Sequence, residues 1–236
     1  MAFPDFSTVL AEARQALLVP ACGRTWRVER VADLETLWAA IGDDDDPFLE
    51  DERLPYWVEL WPSSLALADW LYAQRERIAG RTCLDMGCGL GLTAMVGAHL
   101  GARVVAMDYE WPAVCFARHN AVRNLASPAA LPCVAQMDWR APAVRRGAFS
   151  RLWAGDVMYE KRFIEPVAAF LDHALAPDGV AWVAEPDRNV YKEFREHMAG
   201  RGWHCEKRHT ARREPIPPDP TRTVLTTVNI WELARP

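Results

Sequence analysis

Residues 82–91 constrain the fold of this chain more than any other stretch, because three glycines lie between an apolar run and a helical pattern. Their sequence is TCLDMGCGLG, with Gly87, Gly89 and Gly91 at alternate positions. The apolar residues before the glycines predict a buried strand, and the apolar spacing from Leu92 to Leu100 predicts a helix. A glycine turn between them lets a ligand approach the backbone closely and directs the first N–H groups of the helix towards it.

The spacing of the glycines indicates which ligand the turn suits. A dinucleotide-binding turn has the pattern Gly-x-Gly-x-x-Gly, but the third glycine position is occupied here by Leu92. A dehydrogenase is therefore disfavoured, and a tight turn without a ligand is the simplest alternative. Residues 104–107 predict a second strand that ends at Asp108. An acid at the end of this strand can bind both hydroxyls of a ribose.

Length and pattern together predict one α/β domain with an appendage. The chain has 236 residues, of which half are hydrophobic and a quarter are charged. Helical and strand patterns alternate until residues 204–210 and 223–231, which predict an antiparallel hairpin. We expect a Rossmann-like, doubly wound sheet of seven strands over residues 51–236, mostly parallel with one antiparallel strand near the C-terminus. Residues 1–50 predict a helical extension that packs on this core, with a weak helix over residues 9–18, a short strand over 24–31 and a helix over 33–41.

Composition also limits the partners. The net charge of −5 argues against nucleic acid, because phosphate binding requires a basic face. Six cysteines without CxxC spacing predict reduced thiols, and the acidic run at residues 43–46 predicts a solvated loop, so no metal site is expected. The chain shows neither a signal peptide pattern nor an apolar run of membrane-spanning length, which predicts a cytoplasmic protein without a membrane partner.

The segment PYWVELWPSS at residues 55–64 is the second informative stretch. Trp57 and Trp61 precede a predicted helix over residues 65–78, which Ser63 or Ser64 is expected to cap. The prolines at both ends of the segment restrict its backbone where it would cross the ligand cleft. The two tryptophans are therefore either part of the ligand site or anchors of the core.

Acidic residues follow four predicted strands, at Asp85, Asp108, Asp138 and Asp156. In an open parallel sheet, ligands bind beyond the carboxyl ends of the strands. Asp138 is in a position to accept from an adenine amino group, next to Trp139 as apolar cover. Asp156 would face the reactive end of the ligand, unless it serves only as a helix N-cap. Tyr159 would line the same end, unless it only packs against the following helix.

These motifs resemble a known family. The glycine motif is similar to motif I of the class I S-adenosylmethionine-dependent methyltransferases. The Trp57–Trp61 segment, the Asp138-Trp139 pair and the Asp156-Val-Met-Tyr159 element resemble the seven-β-strand protein lysine methyltransferases. The likeness is greatest to the branch that modifies the electron-transfer flavoprotein β-subunit and its bacterial nicotinamide N-methyltransferase-like relatives.

The resemblance implies an enzyme that uses S-adenosylmethionine as its cofactor and methylates a protein lysine. It implies that Asp156 and Tyr159 line the methyl-transfer site. The implied cofactor-binding residues are Trp61, Asp85, Gly87, Gly89, Gly91, Asp108, Asp138 and Trp139. Two alternatives are a small-molecule amine as the acceptor and a non-catalytic S-adenosylmethionine-binding protein that acts through protein contacts. Ser63-Ser64 and Asp187 occupy positions where this branch usually has glycine, which would alter the substrate entrance.

Overall fold

A computed structural model describes residues 15–31, 56–218 and 224–236 of the chain. Within these ranges the chain forms a two-stranded hairpin and a seven-stranded sheet. The predicted helix over residues 33–41, the acidic run at 43–46 and the domain boundary at residue 50 lie outside the described residues.

The seven-stranded sheet confirms the predicted fold class. Its strands are β3 (Thr82–Met86), β4 (Arg103–Asp108), β5 (Cys133–Gln136), β6 (Phe149–Gly155), β7 (Leu175–Glu185), β8 (His204–Arg213) and β9 (Thr226–Ala234). Their spatial order is β5-β4-β3-β6-β7-β9-β8. The strands from β5 to β7 are parallel, and β9 is antiparallel to both β7 and β8, so β9 is the one reversed strand of this sheet.

Helices cover both faces of the sheet and bury two hydrophobic clusters. The helices are α1 (Pro62–Ala73), α2 (Arg75–Ile78), α3 (Leu92–His99), α4 (Trp111–Asn124), α5 (Ile164–Ala174) and α6 (Asn189–Gly200). Helices α1, α3 and α4 pack on one face of the sheet, and α5 and α6 pack on the other. No helix in the described ranges is long and apolar enough to cross a membrane.

Helix α1 begins differently from the prediction. It starts at Pro62 with Trp61 as N-cap residue, and no side chain accepts a hydrogen bond from its first turn. Proline suits this position because it lacks the N–H that would need a partner and its φ is already helical. Ser63 is fully buried, and Ser64 lies against Gly155 of β6. Both serines therefore belong to the packing between α1 and the sheet and not to a cap.

Residues 15–30 form a β-hairpin, which corrects the predicted helix over residues 15–18. Residues 15–18, predicted as the end of a helix, belong to β1 (Gln15–Ala21), which pairs with β2 (Arg24–Arg30) as an antiparallel hairpin. The predicted strand over residues 24–31 is confirmed. Alternate residues of β1 are buried, and this period of two is a strand pattern that is easily taken for a helix over a short segment.

The hairpin is joined to the large sheet through Asn120 of α4. The Asn120 side chain accepts from the Glu29 N–H at 2.8 Å and donates to the carbonyl oxygens of Glu29 and Leu90, both at 3.0 Å. Leu90 belongs to the glycine turn between β3 and α3. The amide of one buried asparagine therefore connects the N-terminal hairpin to that turn.

Candidate active site

A cleft of about 300 Å³ opens at the carboxyl ends of β3, β4 and β6. Eight of the ten predicted site residues line it, namely Trp61, Gly87, Gly89, Asp108, Asp138, Trp139, Asp156 and Tyr159. Asp85 and Gly91 do not. Lining residues absent from the prediction include Tyr56, Glu59, Tyr109, Arg140, Arg162 and Phe163. Tyr109 and Arg140 directly follow predicted residues. No pattern in the sequence distinguishes any of the six from ordinary surface residues.

The glycine turn requires glycine for two reasons. Gly87, Gly89 and Gly91 have φ values of 69°, 50° and 84°, a left-handed region that residues with a Cβ rarely adopt. A Cβ on Gly87 would lie 2.7 Å from the Val157 side chain, and one on Gly89 would lie 3.2 Å from the Trp57 carbonyl oxygen. The turn is therefore packed tightly between the Trp57–Trp61 segment and the loop after β6.

Gly91 does not line the cleft but packs against α4 on the other side of the turn. A Cβ there would lie 2.8 Å from Ala117 Cα in α4.

We expect Gly91→Ala to lower the free energy of unfolding by about 2 kcal/mol or more, through backbone strain and overpacking. Urea unfolding measures this, with Gly200→Ala as the control, since a Cβ on Gly200 meets nothing within 4 Å. Equal stabilities of the two variants would show that Gly91 is not constrained.

Asp108 holds the turn and faces the cleft. One carboxylate oxygen accepts from the Gly89 N–H at 2.8 Å and the other accepts from the Glu110 N–H at 3.0 Å. Burial raises the pKa of Asp108, and the N–H donors counteract part of that effect. The backbone N–H of Tyr109 also stabilises the charged carboxylate, so three of its about four lone-pair sites face backbone donors. The carboxylate lines the cleft and can still accept a hydrogen bond from a ligand hydroxyl.

Asp85 is buried beneath the turn, with 1% of its surface exposed. Its carboxylate accepts from the Thr93 hydroxyl at 2.7 Å, which ties the end of β3 to α3. Asp85 does not line the cleft, so its contacts in the structure are those beneath the turn. Burial raises the pKa of Asp85 from 3.8 to about 7, although the Thr93 hydrogen bond acts in the opposite direction.

The raised pKa of Asp85 gives a pH-dependent stability. Between pH 3.8 and about 7 the folded state binds a proton that the unfolded state does not. This contribution is fully present below pH 3.8 and is lost as the pH rises through about 7. Relative to Asp85→Asn, the unliganded wild type should therefore lose up to about 4 kcal/mol from pH 4 to pH 8. Urea unfolding across this range measures the difference, and parallel curves for the two proteins would contradict it.

The Asp138-Trp139 pair lies at the end of the cleft beyond β5. The Asp138 carboxylate accepts from Arg140 Nε at 2.8 Å and from the Arg140 backbone N–H at 2.8 Å. The Trp139 ring packs edge-on against Phe163, with ring centroids 5.5 Å apart. Asp138 thus has a charged partner that the sequence pattern did not indicate, and it keeps lone pairs for a donor in the cleft.

Five aromatic side chains form a continuous wall, which we call the aromatic arc. Its members in spatial order are Trp61, Tyr56, Tyr159, Phe163 and Trp139. Successive rings meet edge to face, with centroids 5.0–5.9 Å apart. The arc is anchored by the Trp61 indole N–H, which donates to the Tyr56 carbonyl oxygen at 2.9 Å. Tyr159 therefore packs on Phe163 and also lines the cleft.

Trp57 combines the two roles considered for it. Its ring stacks on Phe116 of α4, with centroids 5.9 Å apart and an interplanar angle of 26°. It also lines the cleft, and its carbonyl oxygen covers Gly89. Trp57 is thus a core anchor that fixes one wall of the site.

Asp156 is not a helix N-cap, because a 3-10 turn at Lys161–Phe163 and then α5 begin several residues later. It follows β6 with a φ of 54°. Its carboxylate forms a bidentate pair with Arg188, with Nε–Oδ1 and Nη2–Oδ2 distances of 2.9 and 3.0 Å. The hydrogen bond to Asp156 raises the pKa of Arg188. Both oxygens of Asp156 therefore accept hydrogen bonds from a side chain that is always positively charged.

Arg188, the partner of Asp156, was not predicted from the sequence. It is the last residue of the Glu-Pro-Asp-Arg stretch that begins at the end of β7. Within this stretch the sequence analysis named only Asp187, because it occupies a position where the similar branch usually has glycine. The backbone of Asp187 has a φ of 59°, in the region where glycine is favoured. Glycine, which the resemblance implies for this position, would suit that conformation, and aspartate is among the residues that tolerate it best.

The sequence of this chain is similar to those of known methyltransferases. The family model of ribosomal protein L11 methyltransferase (PrmA) matches residues 66–141. The electron transfer flavoprotein β-subunit lysine methyltransferase of Danio rerio is 30% identical over 152 residues, which are 64% of this chain and 56% of that protein. Its counterpart from Rattus norvegicus is 26% identical over 223 residues, covering 94% of this chain and 76% of that protein.

A solved structure shows the same fold. Magnesium protoporphyrin IX methyltransferase from Synechocystis PCC 6803, with bound S-adenosylmethionine, aligns with a TM-score of 0.56 and 18% identity. The alignment covers 86% of this chain and 90% of that one. The chain spans little more than half the length of the Danio rerio relative, and the L11 methyltransferase match ends before Asp156. The Rattus norvegicus match, by contrast, covers 94% of this chain.

Proposed function

We propose that this chain, which has the fold of the class I methyltransferases, is an S-adenosylmethionine-dependent enzyme that methylates a lysine side chain of a protein. The observation that carries the proposal is the cleft itself. It joins a diol-binding carboxylate, a glycine turn and the Asp156–Tyr159 element in one continuous site. The protein substrate is supported by the names of the two similar lysine methyltransferases.

The residues of the cleft fit S-adenosylmethionine. Gly87 and Gly89 line the cleft through backbone atoms alone, against which the amino acid portion of the cofactor can lie. Asp108 offers its carboxylate to the ribose hydroxyls. Asp138 offers an acceptor to the adenine amino group, and Trp139 offers an apolar face to the ring. Asp85 and Gly91 keep the turn in its conformation without touching the ligand.

When bound, S-adenosylmethionine would supply a methyl group on a positively charged sulfur; an uncharged amine would form the new N–C bond in line as the C–S bond breaks, and S-adenosylhomocysteine would leave as a neutral thioether. The protein's tasks are to hold an uncharged lysine amine in the right direction and to exclude competing water. An ordinary lysine has a pKa of about 10.4, so a proton must leave before the reaction. Asp156 retains lone pairs beside its bonds to Arg188, and these orient the amine N–H groups while the proton passes to solvent.

The aromatic arc contributes binding on the acceptor side. Aromatic faces attract a charged ammonium group, so Tyr56 and Tyr159 would hold a lysine before deprotonation and also after methylation. Burial raises the pKa of Tyr159 above that of an ordinary phenol. Its hydroxyl group therefore stays protonated near neutral pH and acts as a hydrogen-bonding group and not as a base.

Tritiated S-adenosylmethionine tests the proposal. We expect label to enter acid-precipitated protein when the chain is incubated with the protein fraction of a cell extract. Purified electron transfer flavoprotein β-subunit and ribosomal protein L11 serve as two defined substrates, and the small-molecule fraction serves as the alternative acceptor pool. Label in small molecules alone would favour a metabolite acceptor. Binding of S-adenosylhomocysteine without any transfer would favour the non-catalytic alternative.

A further inference from the structure

The pair formed by Asp156 and Arg188 joins the cleft to a part of the sheet that does not line it. Asp156 lines the cleft and only 5% of its side chain is exposed, whereas Arg188 lies behind it with 38% exposed. The two donors of Arg188 each bind a different oxygen of the carboxylate. Such a planar, two-point contact fixes the rotation of a carboxylate group, which a single point charge does not.

Arg188 is itself held in place by a buried acid. The Arg188 backbone N–H donates to Glu185 Oε2 at 2.9 Å. The other Glu185 oxygen accepts from the Asn229 amide and the Trp231 indole N–H, both at 3.0 Å. Glu185 is 2% exposed and belongs to β7, while Asn229 and Trp231 belong to β9. The backbone of Arg188 is therefore held by a hydrogen-bond network that joins β7 and β9.

The orientation of the Asp156 carboxylate depends on its hydrogen bonds to Arg188. Its left-handed φ lies in a loop, between the last residue of β6 and a 3-10 turn that begins at Lys161. Its N–H is bound to the Ala184 carbonyl oxygen at 2.8 Å, but the carboxylate has no partner besides Arg188 among the hydrogen bonds of the described residues. Without Arg188 the carboxylate would be free to turn away from the acceptor.

We propose that Arg188 is a positioning residue, which holds the Asp156 carboxylate at the orientation needed to direct the acceptor amine. The proposal rests on the proposed methyl transfer. Arg188 acts on the reaction only through Asp156, since it does not line the cleft. Its loss should therefore lower the rate of transfer without weakening the binding of the adenosine portion of the cofactor.

Arg188→Ala tests this inference, with the rate of tritium transfer to the protein fraction at saturating S-adenosylmethionine as the readout. A misplaced reacting group typically costs about a hundredfold in rate, and we expect a loss of that size. The dissociation constant of S-adenosylhomocysteine should stay within about twofold of wild type. Arg188→Lys keeps the charge but not the two-point contact, so it should recover only part of the lost rate.

Chemical rescue separates positioning from a merely structural role. Because Arg188 is partly exposed, guanidinium at about 50 mM, far below unfolding concentrations, should enter the vacated space and restore the rate of Arg188→Ala several-fold. The Arg188→Ala, Asp156→Asn double variant should show no rescue. Arg201→Ala is the matched control, because Arg201 also binds an aspartate, Asp172, through Nε and Nη2, away from the cleft. It should keep the wild-type rate.

Four results would overturn the inference. Full activity of Arg188→Ala in an assay where the wild type is active contradicts the positioning role alone. Lost stability and lost S-adenosylhomocysteine binding in that variant, without rescue by guanidinium, show that the pair is structural. Equal rescue of the double variant shows that guanidinium acts elsewhere. A wild type that transfers no methyl group contradicts the proposed function and the positioning role together.

Discussion

Asp156→Asn should lower methyl transfer by on the order of a hundredfold or more, the size typical of a lost electrostatic or acid–base group. The substitution keeps the size of the side chain and one acceptor oxygen for Arg188, but removes the negative charge. Asparagine also tolerates the left-handed backbone at this position, so no new strain is introduced. Folding and S-adenosylhomocysteine affinity should change little.

Three measurements are needed to interpret this variant, namely the transfer rate, the urea midpoint and the S-adenosylhomocysteine dissociation constant. Asp69→Asn provides a control, because Asp69 pairs with Arg213 outside the cleft and half of its side chain is covered. Full turnover by Asp156→Asn would show that the charge has no role in the reaction. A joint loss of stability and cofactor affinity would make Asp156 a structural residue.

Asp108→Ala should weaken S-adenosylhomocysteine binding by at least about tenfold. A hydrogen bond to a charged group contributes roughly 1.5–3 kcal/mol, and the proposed diol contact contains two of them. The structure adds a second cause, because Asp108 also binds the Gly89 N–H and so shapes the turn. Isothermal titration calorimetry on the folded variant measures the combined effect.

An analogue of S-adenosylhomocysteine without the ribose 2′-hydroxyl separates the two causes. If Asp108 binds the diol, the substitution should weaken binding of the analogue clearly less than binding of the complete ligand. If it acts only through the turn, both ligands should lose affinity equally. Unchanged affinity for both in a folded Asp108→Ala variant would remove the ribose assignment altogether.

The fold was readable from the sequence wherever the pattern was long and regular. Residues 82–108 combine a buried strand, glycines that require positive φ and a second strand, and few other folds accommodate that combination. The strand-end acids followed from the same logic, since parallel strands bring their carboxyl ends to one edge. That reasoning predicted eight of the ten proposed residues at the cleft.

Two features of the site were not predicted because sequence position does not reveal tertiary partners. Asp85 ends its strand just as Asp108 does, yet its carboxylate lies beneath the turn and binds Thr93. Arg188 lies 32 residues from Asp156, and no periodicity links the two. The hairpin at residues 15–30 was misread in part because a short amphipathic strand and a short helix give similar patterns.

The most direct test of methyl transfer to lysine is mass spectrometry with S-adenosylmethionine that carries a trideuterated methyl group. The protein fraction of a cell extract is incubated with the wild type or with Asp156→Asn, digested and sequenced by fragmentation. We expect deuterated methyl groups on lysine side chains of a small set of proteins with the wild type, and almost none with the variant. Deuterated methyl groups only on other residue types, or only in metabolites, would contradict the account.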